Sequence, residues 1–357
     1  MRPLVRTIWL RINYRCAKII SMDIKDINTN WGIFGHEWAV ELLQGHLSNR
    51  SIRHAYLITG PQGVGRRTLA LRFAQAINCT QLVEAAIPCG RCRACRLIEN
   101  MQHPDFSIVQ AEDAGTALKV DQIRELQRTL SLTPYEAKYK VALILRFEQA
   151  NPNAANALLK TLEEPPPHVI MILTASDSDA LLSTINSRCE LIQLRPLSIE
   201  QVSSGLQTNF GIQADTATLL SHISGGRPGY ALQLTQNPEI LELRQIHLDD
   251  IFDLLSKSRV DRFAYAESIA KDRAALLNAL QTWLTLWRDV MLRVAGSITP
   301  IINIDRENEI LALTEKVDLI TAKNIVRKLG NSIVNVEKYI NARLVTEILM
   351  LDLPFLS

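Results

Sequence analysis

Residues 54–79, HAYLITGPQGVGRRTLALRFAQAINC, constrain the fold of this chain more than any other stretch. A short apolar run of strand length ends at Gly60, a glycine-rich loop comes next, and from Arg66 the apolar residues recur at helical spacing. Strand, tight loop and helix in that order are the context in which Gly-x4-Gly-Lys-Ser/Thr cradles phosphate on backbone amides and a helix N-terminus. Gly60 and Gly65 stand in register with that pattern, and Gly63 keeps the backbone between them free. The two positions that carry the chemistry are altered. Arg66 replaces the lysine, keeping the charge but presenting a longer, planar fork. Arg67 replaces the hydroxyl residue and offers a cation where Mg²⁺ needs an oxygen. Thr68 comes one residue late, which turns its side chain by about 100° around the helix.

Hydrolysis also needs a carboxylate at the end of a neighbouring strand, to hold metal and position water. The strand to supply it is KVALIL, 140–145, and the two positions at its end are Leu145 and Arg146. Glu148 is the nearest acid and is expected to begin the next turn. Two separate parts of a hydrolytic site are thus altered, which predicts a silent loop and no ATPase activity of the chain's own. Nucleotide binding without turnover is left open by the surviving glycines.

Around this unit, apolar runs at 105–111, 139–145, 169–176 and 189–197 read as further strands. Helical patterns at 33–48, 120–132 and 153–164 alternate with them. Alternation of this kind predicts an α/β fold with a mostly parallel sheet covered on both faces. It stops near Pro196; from Ser198 onward there are only helical segments. Short ones precede Pro238, punctuated by GGRPG at 225–229, and long ones come after it, at 276–296 and 318–353. Trp283 and Trp287, spaced i, i+4, are expected in a bundle core. The expected divisions are a basic leader at 1–21, an α/β domain at 22–197, a small helical unit at 198–238 and a longer helical domain at 239–357.

The leader carries Arg2, Arg6, Arg11, Arg15 and Lys18 without an acid, five positive charges against a net +2 for the whole chain. It lacks the apolar core and cleavage site of a secretory signal, and a second methionine comes at Met22. It reads as a disordered or misassigned leader; a basic arm on nucleic acid is the sharper alternative. No apolar run reaches the ~18 residues of a membrane-spanning helix.

Four of the six cysteines, Cys79, Cys89, Cys92 and Cys95, fall in the pattern C-x9-C-x2-C-x2-C. Without an export signal this clustering favours metal over disulfides and a reducing, cytoplasmic setting. Four thiolates complete a tetrahedron, so the expected ion is a structural Zn²⁺ with no open position. Arg91, Arg93 and Arg96 surround the cluster. His103 is a conceivable further ligand but reads as a solvated loop residue.

Together, the glycine loop, the four-cysteine module, NAANALLKTLEEPPPHVIMILTAS (153–176) and TINSRC (184–189) resemble the bacterial clamp-loader AAA+ proteins. The resemblance is close over about residues 31–235. It implies an AAA+ P-loop domain with a zinc module at 79–95, a helical lid at 198–238 and a C-terminal helical collar. It further implies ATP-driven motor subunits and a delta subunit as partners in a hetero-oligomeric ring, which loads a sliding clamp onto primed DNA. The altered loop fits the member of that family that does not turn over ATP; a motor-type ATPase is the main alternative. A zinc-dependent nucleic-acid-binding module is a further one. In this family the arginine of Ser-Arg-Cys points across the subunit interface at a neighbour's ATP, and Arg188 matches it. Thr174 matches the sensor position that reads phosphate in the motors, and Arg227 falls in the region of the lid arginine. LEEPPP is expected to shape the turn between a helix and a strand.

Overall fold

The computed structural model describes residues 31–83, 86–112 and 116–356, so the basic leader with Cys16 and Met22 lies outside the described residues. These residues divide into two compact units, one of 31–205 with 226–230 and one of 206–225 with 231–356.

In the first unit the strands are β1 (Ala55–Thr59), β2 (Phe106–Val109), β3 (Lys140–Ile144), β4 (Val169–Ala175) and β5 (Glu190–Gln193). They form one sheet in the order β2-β3-β4-β1-β5, every pair parallel. The helices are α1 (Glu37–Ser48), α2 (Arg66–Asn78), α3 (Arg93–Glu99), α4 (Val120–Leu130), α5 (Pro152–Glu163) and α6 (Ser183–Asn186). After β5 comes α7 (Ile199–Phe210), whose residues from Leu206 belong to the second unit. β1, β3 and β4 are buried along their whole length, which is why they read as continuous apolar runs. Successive residues still part to opposite faces. Tyr56, Ile58, Val141, Leu143, Ile170 and Ile172 join α1 and α2 in one core, while Ala55, Leu57, Ala142, Ile144, Met171 and Leu173 join α4 and α5 in the other. The expected parallel sheet with both faces covered is therefore present. Asn151 caps α5 through its side chain on Ala154 N–H (2.8 Å), with Pro152 at the first helical position.

The second unit contains only helices among its described residues: α8 (Ala214–Ser224), α9 (Pro228–Gln236), α10 (Pro238–Ser256), α11 (Arg259–Ile269), α12 (Arg273–Val294), α13 (Glu307–Thr314), α14 (Leu319–Glu337) and α15 (Ala342–Asp352). α9 begins within the segment that belongs to the sheet unit. Trp283 and Trp287 are fully buried in the core of this unit, as the spacing predicted. The long helical pattern at 318–353 is corrected: it is two helices. The backbone turns left-handed at Tyr339 (φ 61°), and Asn341 starts α15 by accepting Leu344 N–H. Arg273 holds the corner, its guanidinium 3.5 Å from the Tyr339 ring centroid and donating to Val336 O. Periodicity could not show the break, because both helices keep their apolar faces through it.

Arg262 is buried without a carboxylate. Its five N–H groups meet five carbonyls, of Leu254, Leu255, Met350, Leu353 and Pro354, at 2.8–3.2 Å. These carbonyls lie at the C-terminal ends of α10 and α15, where the helix dipoles favour a cation. Arg262→Met leaves five buried acceptors without donors and should lower the unfolding free energy by about 3 kcal/mol or more. Arg262→Lys, with three donors, should recover only part of it; urea unfolding of the two variants checks both.

Candidate functional site

The C-terminal edge of the sheet carries the glycine loop. Gly60 donates to the carbonyls of Ala175 and Ser176, both at 3.2 Å, and adopts φ 141°. A Cβ there would lie 2.3 Å from Leu194 O, so only glycine lets β1 leave the sheet at this point. Gly65 (φ 117°) turns the loop into α2, which has neither a side-chain cap nor an acidic first turn. His36 Nε2 contacts Val64 O (3.0 Å). From the segment 226–230, Tyr230 N–H donates to Gly63 O (3.2 Å), and a Cβ on Gly63 would meet Tyr230 Cβ at 2.7 Å. Gly229 is as tightly placed, 2.9 Å from Gly63 O for its own Cβ. The arms of the loop thus have little room for side chains.

Arg66 is half-buried, and its Nη1 has no hydrogen-bond partner. Burial lowers its pKa, nearby Glu148 raises it and Arg146 lowers it. Glu148 stands in the short 3₁₀ turn Phe147–Gln149, and its buried Oε2 also lacks a hydrogen-bond partner. The arginine in the lysine position therefore feels a carboxylate of its own chain. Arg67 donates to Met101 Sδ (3.2 Å), just past α3, and Thr68 is half-buried on the first turn of α2. β3 ends at Ile144, and the next two residues are Leu145 and Arg146, as read from the sequence. Arg146 takes φ 51°, and its N–H is accepted by the buried Thr174 hydroxyl at 3.0 Å. Thr174 thus fixes the backbone after β3 beside the loop. The Arg227 guanidinium stacks 4.6 Å over the Tyr230 ring, and burial lowers its pKa.

The four cysteines converge. Cys79 ends α2, Cys89 and Cys92 lie in the knuckle before α3, and Cys95 is in its first turn. All four sulfurs lie within 4.8 Å of one another. A tetrahedron of thiolates around one ion, at about 2.3 Å per bond, needs edges of about 3.8 Å. Backbone N–H groups of Cys89, Cys92 and Cys95 donate to the sulfurs of Cys79, Cys89 and Cys92 at 3.2–3.4 Å. Burial opposes ionisation of Cys92, but donors from Cys95 and Thr80 bring it down to about 6. Burial and the charges of Cys79 and Cys92 push Cys95 far up. Four thiolates at this spacing need a cation, and the donor set fits a tetrahedral metal. The module is fastened to α2 through Gln75, which donates to Cys95 O (2.9 Å) and to Glu99 (2.7 Å). Arg91, Arg93 and Arg96 are exposed around it. His103, expected as a solvated loop residue, is instead buried at 4% exposure: its Nδ1 accepts Asp105 N–H, and burial lowers its pKa. Asp105 orders the same corner by accepting the N–H groups of Tyr135, Glu136 and Ala137.

Arg188 lies at the opposite edge of the sheet. It precedes β5, whose Glu190 pairs with Tyr56, so it is level with the start of β1. Gly60 is roughly 20 Å further along, at ~3.3 Å per residue. The glycine loop and Arg188 are not brought together within the chain. Cys189 packs against the sheet core, and burial pushes its thiol up to about 12, which makes it inert as a nucleophile at neutral pH.

A glycine loop after β1 of a parallel β2-β3-β4-β1-β5 sheet, with a four-thiol module on the next helix, defines an AAA+ domain of the P-loop class. A family model described as DNA polymerase III, delta subunit, matches residues 35–198. The gamma subunit of DNA polymerase III from Buchnera aphidicola (of Schizaphis graminum) is 30% identical over 73% of this chain and 74% of its own length. The delta′ subunit of Bacillus subtilis is 30% identical over 71% and 76%. The delta′ subunit of Pseudomonas aeruginosa is 39% identical over 51% and 55%. A solved structure of a gamma-subunit-related protein of Thermotoga maritima covers 87% of this chain and 97% of its own, with 15% identity and a TM-score of 0.44. The chain belongs to the DNA polymerase III clamp-loader family of delta′ and gamma/tau subunits.

The closeness of Glu148 to Arg66, the packing of Gly229 and Tyr230 on Gly63, and the ion pair of Arg188 with Glu163 (2.7 Å) were not legible in the sequence. Each joins residues far apart in the chain with no spacing to signal it. In chelator-treated protein, Cys92 should alkylate half-maximally near pH 6, since the reactive thiolate forms above its pKa, while Cys189 stays unreactive at pH 7. Restoring metal should protect Cys92; mass spectrometry of iodoacetamide adducts reads all three.

Proposed function

We propose that this chain is the delta′-type, non-hydrolysing subunit of a DNA polymerase III clamp loader. Its partners are the ATP-hydrolysing subunits and the delta subunit in a hetero-oligomeric ring, working in the cytoplasm to load a sliding clamp onto primed DNA. Residues 198–238 serve as the lid and 239–357 as the collar that joins subunits. The observation that carries the reading is the altered loop: Arg66 and Arg67 in place of lysine and a hydroxyl, with Leu145 and Arg146 where a metal-holding carboxylate would stand. Gly60, Gly63, Gly65, Arg66, Arg67, Thr68, Thr174 and Arg227 then mark a degenerate nucleotide site.

Arg188 is the residue that acts, in trans. Loss of a γ-phosphate builds negative charge that a guanidinium from outside the site can stabilise. Its place at the sheet edge away from its own glycine loop supports action on a neighbour. Cys79, Cys89, Cys92 and Cys95 hold a structural Zn²⁺, which neutralises the thiolates and ties the knuckle to the helix after the loop; it takes no part in turnover.

The full-length chain alone should show no ATP turnover, and Arg66→Ala should not change this. In the reconstituted assembly, Arg188→Ala should abolish the clamp- and DNA-stimulated turnover of the neighbouring site, on the scale of the ~10³-fold or more that a trans arginine supplies. ATP turnover by the chain alone, lost in Arg66→Ala, would place it among the motor subunits instead. The purified chain should carry about one Zn²⁺, lost together with thermal stability in Cys95→Ser; metal analysis and a melting curve check it.

A further inference from the structure

Arg188 is already occupied by an anion from its own chain. Its Nη2 lies 2.7 Å from Glu163 Oε1, at the last residue of α5. On the other side, Nη1 donates to Thr184 O (2.8 Å) and Ser187 Oγ (3.3 Å). The two sides differ in kind. Thr184 and Ser187 are neutral and local, in and just after α6, and they fix the plane of the guanidinium. Glu163 is charged, comes from another helix and has half its side chain open to solvent. A single-point ion pair of that exposure holds weakly. A phosphate oxygen carries the same geometry and more charge, so it can take the place of the carboxylate without disturbing the bonds on Nη1.

We propose that Glu163 is a surrogate anion for Arg188: it holds the guanidinium parked and neutralised until the γ-phosphate of a nucleotide on the neighbouring subunit displaces it. This rests on the reading of Arg188 as a residue acting in trans. Glu163 touches no substrate; it is a positioning residue whose effect reaches the neighbour's nucleotide only through Arg188. The exchange costs the neighbour part of its nucleotide affinity and ties arginine engagement to the presence of a γ-phosphate.

The test compares Glu163→Gln, which keeps the shape and a hydrogen-bond acceptor but removes the charge, with Arg188→Ala. In the assembly with clamp and primed DNA, Glu163→Gln should lower the half-saturating ATP concentration by about two- to fivefold, the scale of an exposed ion pair. Maximal turnover should change by less than that. In the full-length chain alone, phenylglyoxal should modify Arg188 faster in Glu163→Gln by a similar factor, read by mass spectrometry. Unchanged half-saturation and unchanged Arg188 reactivity would overturn the surrogate role while leaving the trans arginine intact. A fall in maximal turnover as deep as that of Arg188→Ala would overturn it too, since Glu163 would then aim the arginine rather than park it. If Arg188→Ala itself leaves stimulated turnover unchanged, the trans reading fails, whatever Glu163 does.

Discussion

Parallel hydrogen bonding of β1 between β4 and β5 sets the position of the glycine loop. It sets Thr59 beside Ala175 on one side and Gln193 on the other, so that Gly60 leaves the sheet against the Leu194 carbonyl and bonds back to the end of β4. The neighbouring β3–β4 pairing carries Thr174 to the end of β3, where its hydroxyl accepts the Arg146 N–H. Because all strands run one way, the loops leaving the strands gather at one edge and the loops entering them at the other. The glycine loop and Arg188 are therefore separated by the length of the strands. A residue at the second edge cannot reach the loop at the first, so the two sit on distinct edges of the sheet.

Arginines do most of the electrostatic work, in three different settings. Arg262 is buried on helix C-termini, where carbonyls alone satisfy it, and its task is to hold α10, α11 and the end of the chain together. Arg244 is buried as well but has a carboxylate, Asp305, at 2.7 Å, in a network with Asn303 and Asp289 that pins the loop before α13. Arg188 is only partly covered, and its ion pair with Glu163 is open to water. Burial separates structural from exchangeable charge here: a buried charge that loses its partner is costly, whereas an exposed pair exchanges at little cost. Arg66 lies between these cases, half-buried beside Glu148 and with its Nη1 unpaired.

The four-thiol module couples to the loop by chain order. Cys79 is the residue that ends α2, the helix launched by Gly65, and Gln75 on the same helix reaches the Cys95 carbonyl. Anything that disorders the knuckle acts on the far end of the helix that starts from the glycine loop. Trp31, fully buried in the same core, stacks on Phe73 of α2.

Short-range spacing accounts for all that could be read from the order of the residues. Continuous apolar runs named β1, β3 and β4, and shorter mixed runs β2 and β5. Glycines at 60 and 65 located the turn, and cysteines three residues apart predicted a knuckle. Arg66, Arg67, Leu145 and Arg146 were legible as losses because a fixed pattern states what should stand there. Folding in three dimensions was needed to settle which strand pairs with which, where the helix at 318–353 breaks, and that His103 is buried. It was needed as well to show that Asp105 orders a loop some thirty residues away and that Glu163 meets Arg188. These features depend on contacts between residues distant in the chain, and side-chain periodicity reports only the face a residue presents, not the partner it finds there.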